Sequence, residues 1–140
     1  MTALDPAQLD RLANAAIAVR KHAYAPASSF LVGAAVLADD GRLFVGCNVE
    51  NASYGLTICA ERAAVCAAVA AGVRVLRAVA VATDLAEPAR PCGACRQVLA
   101  EFGRALDVVL VGRGGVVRRT TLDQLLPDPF TFDDVQRGRA

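Results

Sequence analysis

Two cysteine motifs, Cys59-Ala60-Glu61 and Cys92-Gly93-Ala94-Cys95, constrain this chain more than any other feature, because each stands where a helix should begin. Residues 59–71 are alanine-rich and free of proline and glycine until Gly72. Residues 92–102 end at Gly103, so both stretches read as helices stopped by glycine. The first turn of a helix offers unpaired N–H groups and the positive end of the dipole, which favour thiolate over thiol. Cys92 and Cys95, at i and i+3, share one face of such a turn. A fold in which the two helix starts converge would therefore gather three thiolates at one point.

Taken alone, the C-x-x-C fits a redox pair, half of a zinc site or a coincidence. Cys59 and Glu61 shift the balance towards metal, since a redox pair leaves both without a role. Three sulfurs fill three of zinc's four tetrahedral positions and leave one for water, the arrangement of a catalytic site. A structural site closes with a fourth ligand, and no further cysteine or histidine fits beside these three. Side chains at i and i+2 diverge on a helix, so Glu61 is expected to stay off the metal and reach the water. Three thiolates outweigh the charge of Zn²⁺, so a cation should lie close. Arg62 is expected to hydrogen-bond one or two of the sulfurs from outside the ligand set. His22, the only histidine, sits at the end of the first helix and is not expected to act in catalysis, which leaves acid–base work to a carboxylate. Cys47 and Cys66 are expected in the core.

Along the chain, Asp5-Pro6 caps a first helix that runs to about Lys21, with Leu9, Leu12, Ala13, Ala16 and Ile17 at helical spacing. Residues 24–29 read as a loop. Residues 30–38 and 42–47 read as a hairpin around Asp39-Asp40-Gly41. Residues 48–57 read as loop, and 78–82, 107–111 and 116–119 as short strands. Residues 121–126 read as a short helix ended by Pro127, followed by a polar tail. Helices alternating with short apolar strands indicate an α/β layered domain, and residues 1–140 read as one such domain.

Lys plus Arg is 15 and Asp plus Glu is 14, a net charge of +1, which lacks the basic stripe that nucleic acid requires. There is no tryptophan and little aromatic content to stack a single strand. The first ten residues contain two acidic and no basic residues, unlike a secretory signal. The longest apolar run, residues 63–73, falls short of the roughly 20 residues that span a bilayer. Five cysteines, an odd number, argue against a disulfide framework. The expectation is a cytoplasmic protein without membrane or nucleic-acid partners.

Cys59-Ala60-Glu61-Arg62 followed by Pro91-Cys92-Gly93-Ala94-Cys95-Arg96-Gln97 resembles the signature of the tetrameric, three-cysteine cytidine deaminases. The resemblance extends through Phe30–Ala35, through Gly46–Asn51 and through Leu125–Phe130, in order and with similar spacing. It implies a three-layer α/β/α fold with a five-stranded mixed sheet. It also implies one Zn²⁺ per subunit and a small nucleoside substrate in pyrimidine salvage. Asn48 and Glu50 would hydrogen-bond the ribose 3′-hydroxyl, Phe30 would pack on the pyrimidine or sugar, and the Ala60 N–H would lie near the base. The sites of a homotetramer would be shared, with Ala52 and Tyr54 from one neighbour and Phe130 from another. The implied reaction is hydrolytic deamination at C4 of cytidine and deoxycytidine, with Glu61 carrying protons. The nearest rival is a deaminase of a related cytosine nucleoside such as a blasticidin-type antibiotic; the Asn48/Glu50 pair favours an ordinary sugar. One departure is Ala27, where the family usually has a tyrosine. Ser53 and Gly55 also replace the commoner cysteine and proline.

Overall fold

The apolar runs become the middle of a five-stranded sheet. The computed structural model describes residues 3–139, so the expected span of 1–140 reaches residues outside that range. The strands are β1 (Gly33–Ala38), β2 (Leu43–Cys47), β3 (Leu76–Ala82), β4 (Asp107–Val111) and β5 (Val117–Thr121). Their order is β2-β1-β3-β4-β5. β3 and β4 are parallel and the other pairs antiparallel, so the sheet is mixed.

Every residue of β1 is buried, and its side chains divide between two cores by the two-residue period of a strand. Ala34, Val36 and Ala38 join Val79, Val81, Val108 and Leu110 on one face. Ala35 and Leu37 join Ala78, Ala80, Val109 and Val111 on the other. Helix α1 (Pro6–Arg20) covers the second face with Leu12, Ala13 and Ala16. Helices α2 (Ala60–Ala70) and α3 (Gly93–Phe102) cover the first, with Ala60, Ala64, Ala68 and Leu99. The result is three layers, helix, sheet and helices, as expected. Among the described residues no helix is long and apolar enough to cross a membrane.

Asp5 caps α1 as expected, accepting from the Gln8 N–H at 2.8 Å while the Gln8 side chain accepts from the Asp5 N–H. Gly46 matters for the site. A Cβ on it would meet the Ala64 nitrogen at 2.4 Å and the Ala60 carbonyl at 2.6 Å, so only glycine lets the start of α2 lie this close to β2.

Several local readings differ from expectation. β1 begins at Gly33, not Phe30, because the Asn48 side chain and backbone tie up residues 30–32. β3 begins at Leu76, two residues early. Within the loop 48–57, Tyr54–Leu56 forms one 3-10 turn. The polar tail holds a further helix, α5 (Phe132–Arg137), after α4 (Leu122–Leu125); the Thr131 N–H and hydroxyl both bond the Asp134 carboxylate in a capping box. Cys47 is only half-buried and Cys66 is exposed, contrary to expectation. α2 turns residues 60, 61, 64, 65 and 68 inward, and position 66 lies off that face.

Candidate active site

The sheet register lines up the floor of the site. Gly33 pairs with Cys47 on one side and with Ala82 on the other. The residues just beyond that row are Val32, Asn48 and Thr83, all of which line one cavity of about 320 Å³. The chain then leaves β2 and β3 in loops that return at α2 and α3, so both helix N-termini point at the same end of the sheet. Ligand sites of open α/β sheets commonly lie beyond the carboxyl ends of strands.

Cys59 is the N-cap of α2 and Cys92 the N-cap of α3, each in extended backbone geometry. The positions where Ser or Asp would usually cap thus present sulfurs. Cys95 follows in the first turn of α3 and is fully buried. The three sulfurs lie within 4.8 Å of one another, and the Cys59 and Cys92 sulfurs are 3.9 Å apart. Tetrahedral zinc with bonds of about 2.3 Å needs sulfurs roughly 3.8 Å apart, so the spacing fits. The electrostatics fit as well. Burial, then the Glu61 carboxylate and the neighbouring sulfurs, push the Cys95 thiol upward. Burial also raises Cys92, but the Cys95 N–H and the Cys95 and Cys59 sulfurs outweigh it and bring the group below its ordinary value. A cation held by all three is what this donor set accommodates.

Glu61 is 5% exposed, in the first turn of α2, and lines the cavity. Burial pushes its carboxyl above the ordinary range, against its own N–H, the Cys95 thiol and the charge of Arg62. Arg62 Nη2 lies 3.5 Å from the Cys59 sulfur and 3.3 Å from the Thr57 carbonyl, while its buried Nε has no partner. The Cys59 sulfur is the main cause holding the guanidinium proton more firmly than usual, with burial opposing it. The contact foreseen between Arg62 and a sulfur is present.

Away from the two helix starts, the lining of the same cavity includes Phe30, Asn48 and Glu50, and Ala60 lines it beside Glu61. Asn48 is buried. Its Oδ1 accepts from the Val32 N–H and its Nδ2 donates to the Phe30 carbonyl, both at 2.8 Å. Glu50 accepts from the Ala27 N–H at 2.9 Å, the Ser28 N–H at 3.1 Å and the Ser28 hydroxyl. These bonds hold its carboxyl below the usual range, the Ser28 hydroxyl most of all. Both side chains therefore fasten the 26–32 loop as well as facing the cavity.

Ala52 and Tyr54 do not reach this cavity; they border an adjoining hollow with Tyr24, Ala27 and Glu50. Phe130 lies apart, against α3, its carbonyl held at 2.8 Å by Gln97 Nε2. Sequence reasoning missed Ser28, Thr57, Thr83 and Arg90 in the lining. It also missed Arg96, which donates to the carbonyls of Pro91 and Leu125 at 2.8 and 2.9 Å and so fixes the loop before Cys92. Only Arg96, inside the recognised motif, carried a signal.

Residues 6–111 match the model of the cytidine and deoxycytidylate deaminase zinc-binding region. The chain is 49% identical over 117 residues to a cytidine deaminase of Sporosarcina psychrophila, covering 83% of this chain and 86% of that one. It is 50% identical over 117 residues to a cytidine deaminase of Mycobacterium tuberculosis, covering 84% and 85%. The crystal structure of a cytidine deaminase from Burkholderia pseudomallei superposes with a TM-score of 0.82 at 54% identity, covering 86% of this chain and 97% of that one.

Proposed function

The chain belongs to the cytidine and deoxycytidylate deaminase family, and from that premise we propose that it is a zinc-dependent hydrolase that converts cytidine and deoxycytidine to uridine and deoxyuridine with release of ammonia. The observation that carries the reading is the meeting of a buried glutamate with three converging sulfurs at the inner end of a nucleoside-sized cavity.

Cys59, Cys92 and Cys95 would hold the ion. Zinc, when bound, supplies the Lewis acidity that brings water towards deprotonation at neutral pH. The remaining chemistry falls to the protein. Glu61 takes a proton from the attacking water and passes it to ring N3 as oxygen adds at C4. It then delivers a proton to the amino group as the C4–N bond breaks, so cytidine and water become uridine and ammonia. The Ala60 N–H would face the base, Phe30 would pack on the pyrimidine or sugar, and Asn48 would donate to, and Glu50 accept from, the sugar hydroxyl. Arg62 offsets the excess negative charge of the thiolates.

Residues 1–140 form one domain in this reading, since one sheet joins both helical layers. The protein acts as a cytoplasmic homotetramer on free nucleosides. Tyr54 (77% exposed), Leu56 (66%) and Phe130 (64%) leave large apolar side chains uncovered in one chain, which supports assembly with Ala52, Tyr54 and Phe130 completing neighbouring sites. The near-neutral charge supports a nucleoside over a polynucleotide.

An absorbance assay on cytidine tests the function. Turnover should vanish on zinc chelation and return on zinc addition, and zinc-loaded protein that leaves cytidine unchanged would overturn it.

A further inference from the structure

Three hydrogen-bond donors converge on Glu50, and only one of them is a side chain. The Ala27 and Ser28 N–H groups both bond Oε1, and the Ser28 hydroxyl bonds Oε2. A carboxylate offers about four acceptor positions, so one remains, on Oε2. The Ser28 oxygen is itself engaged. It accepts the Phe30 N–H at 3.0 Å, across Ser29, whose φ of 58° turns the chain back on itself. A hydroxyl has one proton. The Phe30 N–H takes one of the oxygen's lone pairs, and since an ionised carboxylate can only accept, the hydroxyl proton points at Glu50. The Phe30 carbonyl is meanwhile held by Asn48, so Phe30 is pinned at both its N–H and its C=O.

We propose that Ser28 is a positioning residue for sugar recognition: its hydroxyl orients the Glu50 carboxylate so that a single acceptor position faces the cavity and takes a single substrate hydroxyl. The proposal rests on the reading above that Glu50 receives the sugar 3′-hydroxyl. Ser28 lines the cavity beside Glu50, yet it need not touch the substrate. The same geometry explains why Ala27 is compatible with the site. Position 27 supports Glu50 through its backbone N–H, which any residue but proline supplies.

The experiment compares cytidine with 3′-deoxycytidine on the zinc-loaded enzyme, as wild type, Ser28→Ala, Ser28→Thr and Ser28→Cys. The wild type should favour cytidine. Losing one hydrogen bond to a charged group should shrink that preference in kcat/KM by about tenfold in Ser28→Ala, mostly through KM for cytidine, with kcat little changed. Ser28→Thr should restore it, and Ser28→Cys, a weak donor of similar size, should fall between. Should Ser28→Ala fail to fold or to hold zinc, the Ser28→Cys and wild-type ratios decide the matter. An unchanged preference in the variants, or an equal loss on both substrates, overturns the role of Ser28. A wild type that treats both nucleosides alike overturns instead the reading of Glu50 beneath it.

Discussion

The two ends of the cavity are built by different means. The inner end, with Cys59, Cys92, Cys95 and Glu61, stands on the first turns of two helices laid against one sheet face. Its positions follow from packing: Gly46 admits α2, and Arg96 ties the loop before α3. The outer end, with Ser28, Phe30 and Glu50, lies on loop, held by side chains together with isolated backbone bonds rather than by a continuous ladder. Chemistry that tolerates little misplacement is best placed on rigid elements, and in the proposed reading the loop end serves sugar recognition. The inner end gathers its three sulfurs and Glu61 within one chain, whereas Tyr54 and Phe130 lie uncovered and outside the cavity.

The contrast predicts where substitutions act, and the largest effect should come from the inner end. Glu61→Gln should retain zinc and bind nucleoside but lose about 10²–10⁴-fold or more in kcat. Metal analysis, ligand binding and turnover, measured together, check this; near-normal turnover would place the proton transfer elsewhere. Arg62→Ala should cost roughly 10–100-fold in zinc affinity or turnover, the scale of outer-shell partners. Competition with a zinc-binding dye reads the affinity, and a variant unchanged in both respects would remove Arg62 from the metal's support.

At the rim, Tyr54→Ala should weaken self-association by about tenfold, as loss of one aromatic anchor does, and should lower activity on dilution. Sedimentation velocity over a concentration series reads it. If the variant assembles normally yet keeps its activity, the rim is complete within one chain and the contrast between the two ends narrows. The smallest effect concerns Glu50. Its carboxyl sits below the ordinary 4.5 because donors stabilise the charged form, so it stays ionised as pH falls through 4.5 and protonates only below. Ser28→Ala should move its titration back towards 4.5, readable by carboxyl-carbon NMR; an unmoved titration would mean that the hydroxyl does not hold the carboxylate.

How legible each end was in the sequence follows the same division. Cys92 and Cys95 announce themselves by spacing on one turn, and Cys59 with Glu61 by standing at a second helix start. Short-range rules cover such arrangements. Ser28 gave no signal, because its value lies in reaching Glu50 across 22 positions of sequence. Thr83 and Val32 enter the site only because strand register sets them beside Asn48. α5 was legible and overlooked, since Thr131-Phe132-Asp133-Asp134 is a capping box in plain view. Cys66 was misjudged because residue type alone does not say which face of a helix turns inward.

By itself, the sequence determined the layered α/β class and singled out the three candidate metal-binding sulfurs and Glu61 as the proposed proton carrier, since each depends on periodicity or on neighbours within one or two turns. Only the tertiary structure decided how closely the three sulfurs approach, that Arg62 reaches Cys59, and that three donors gather on Glu50. Those facts depend on distances between elements, and such distances are set by what can pack: a glycine where a helix must come close, a register that aligns three strand ends, and a hydroxyl whose single proton has one place to go.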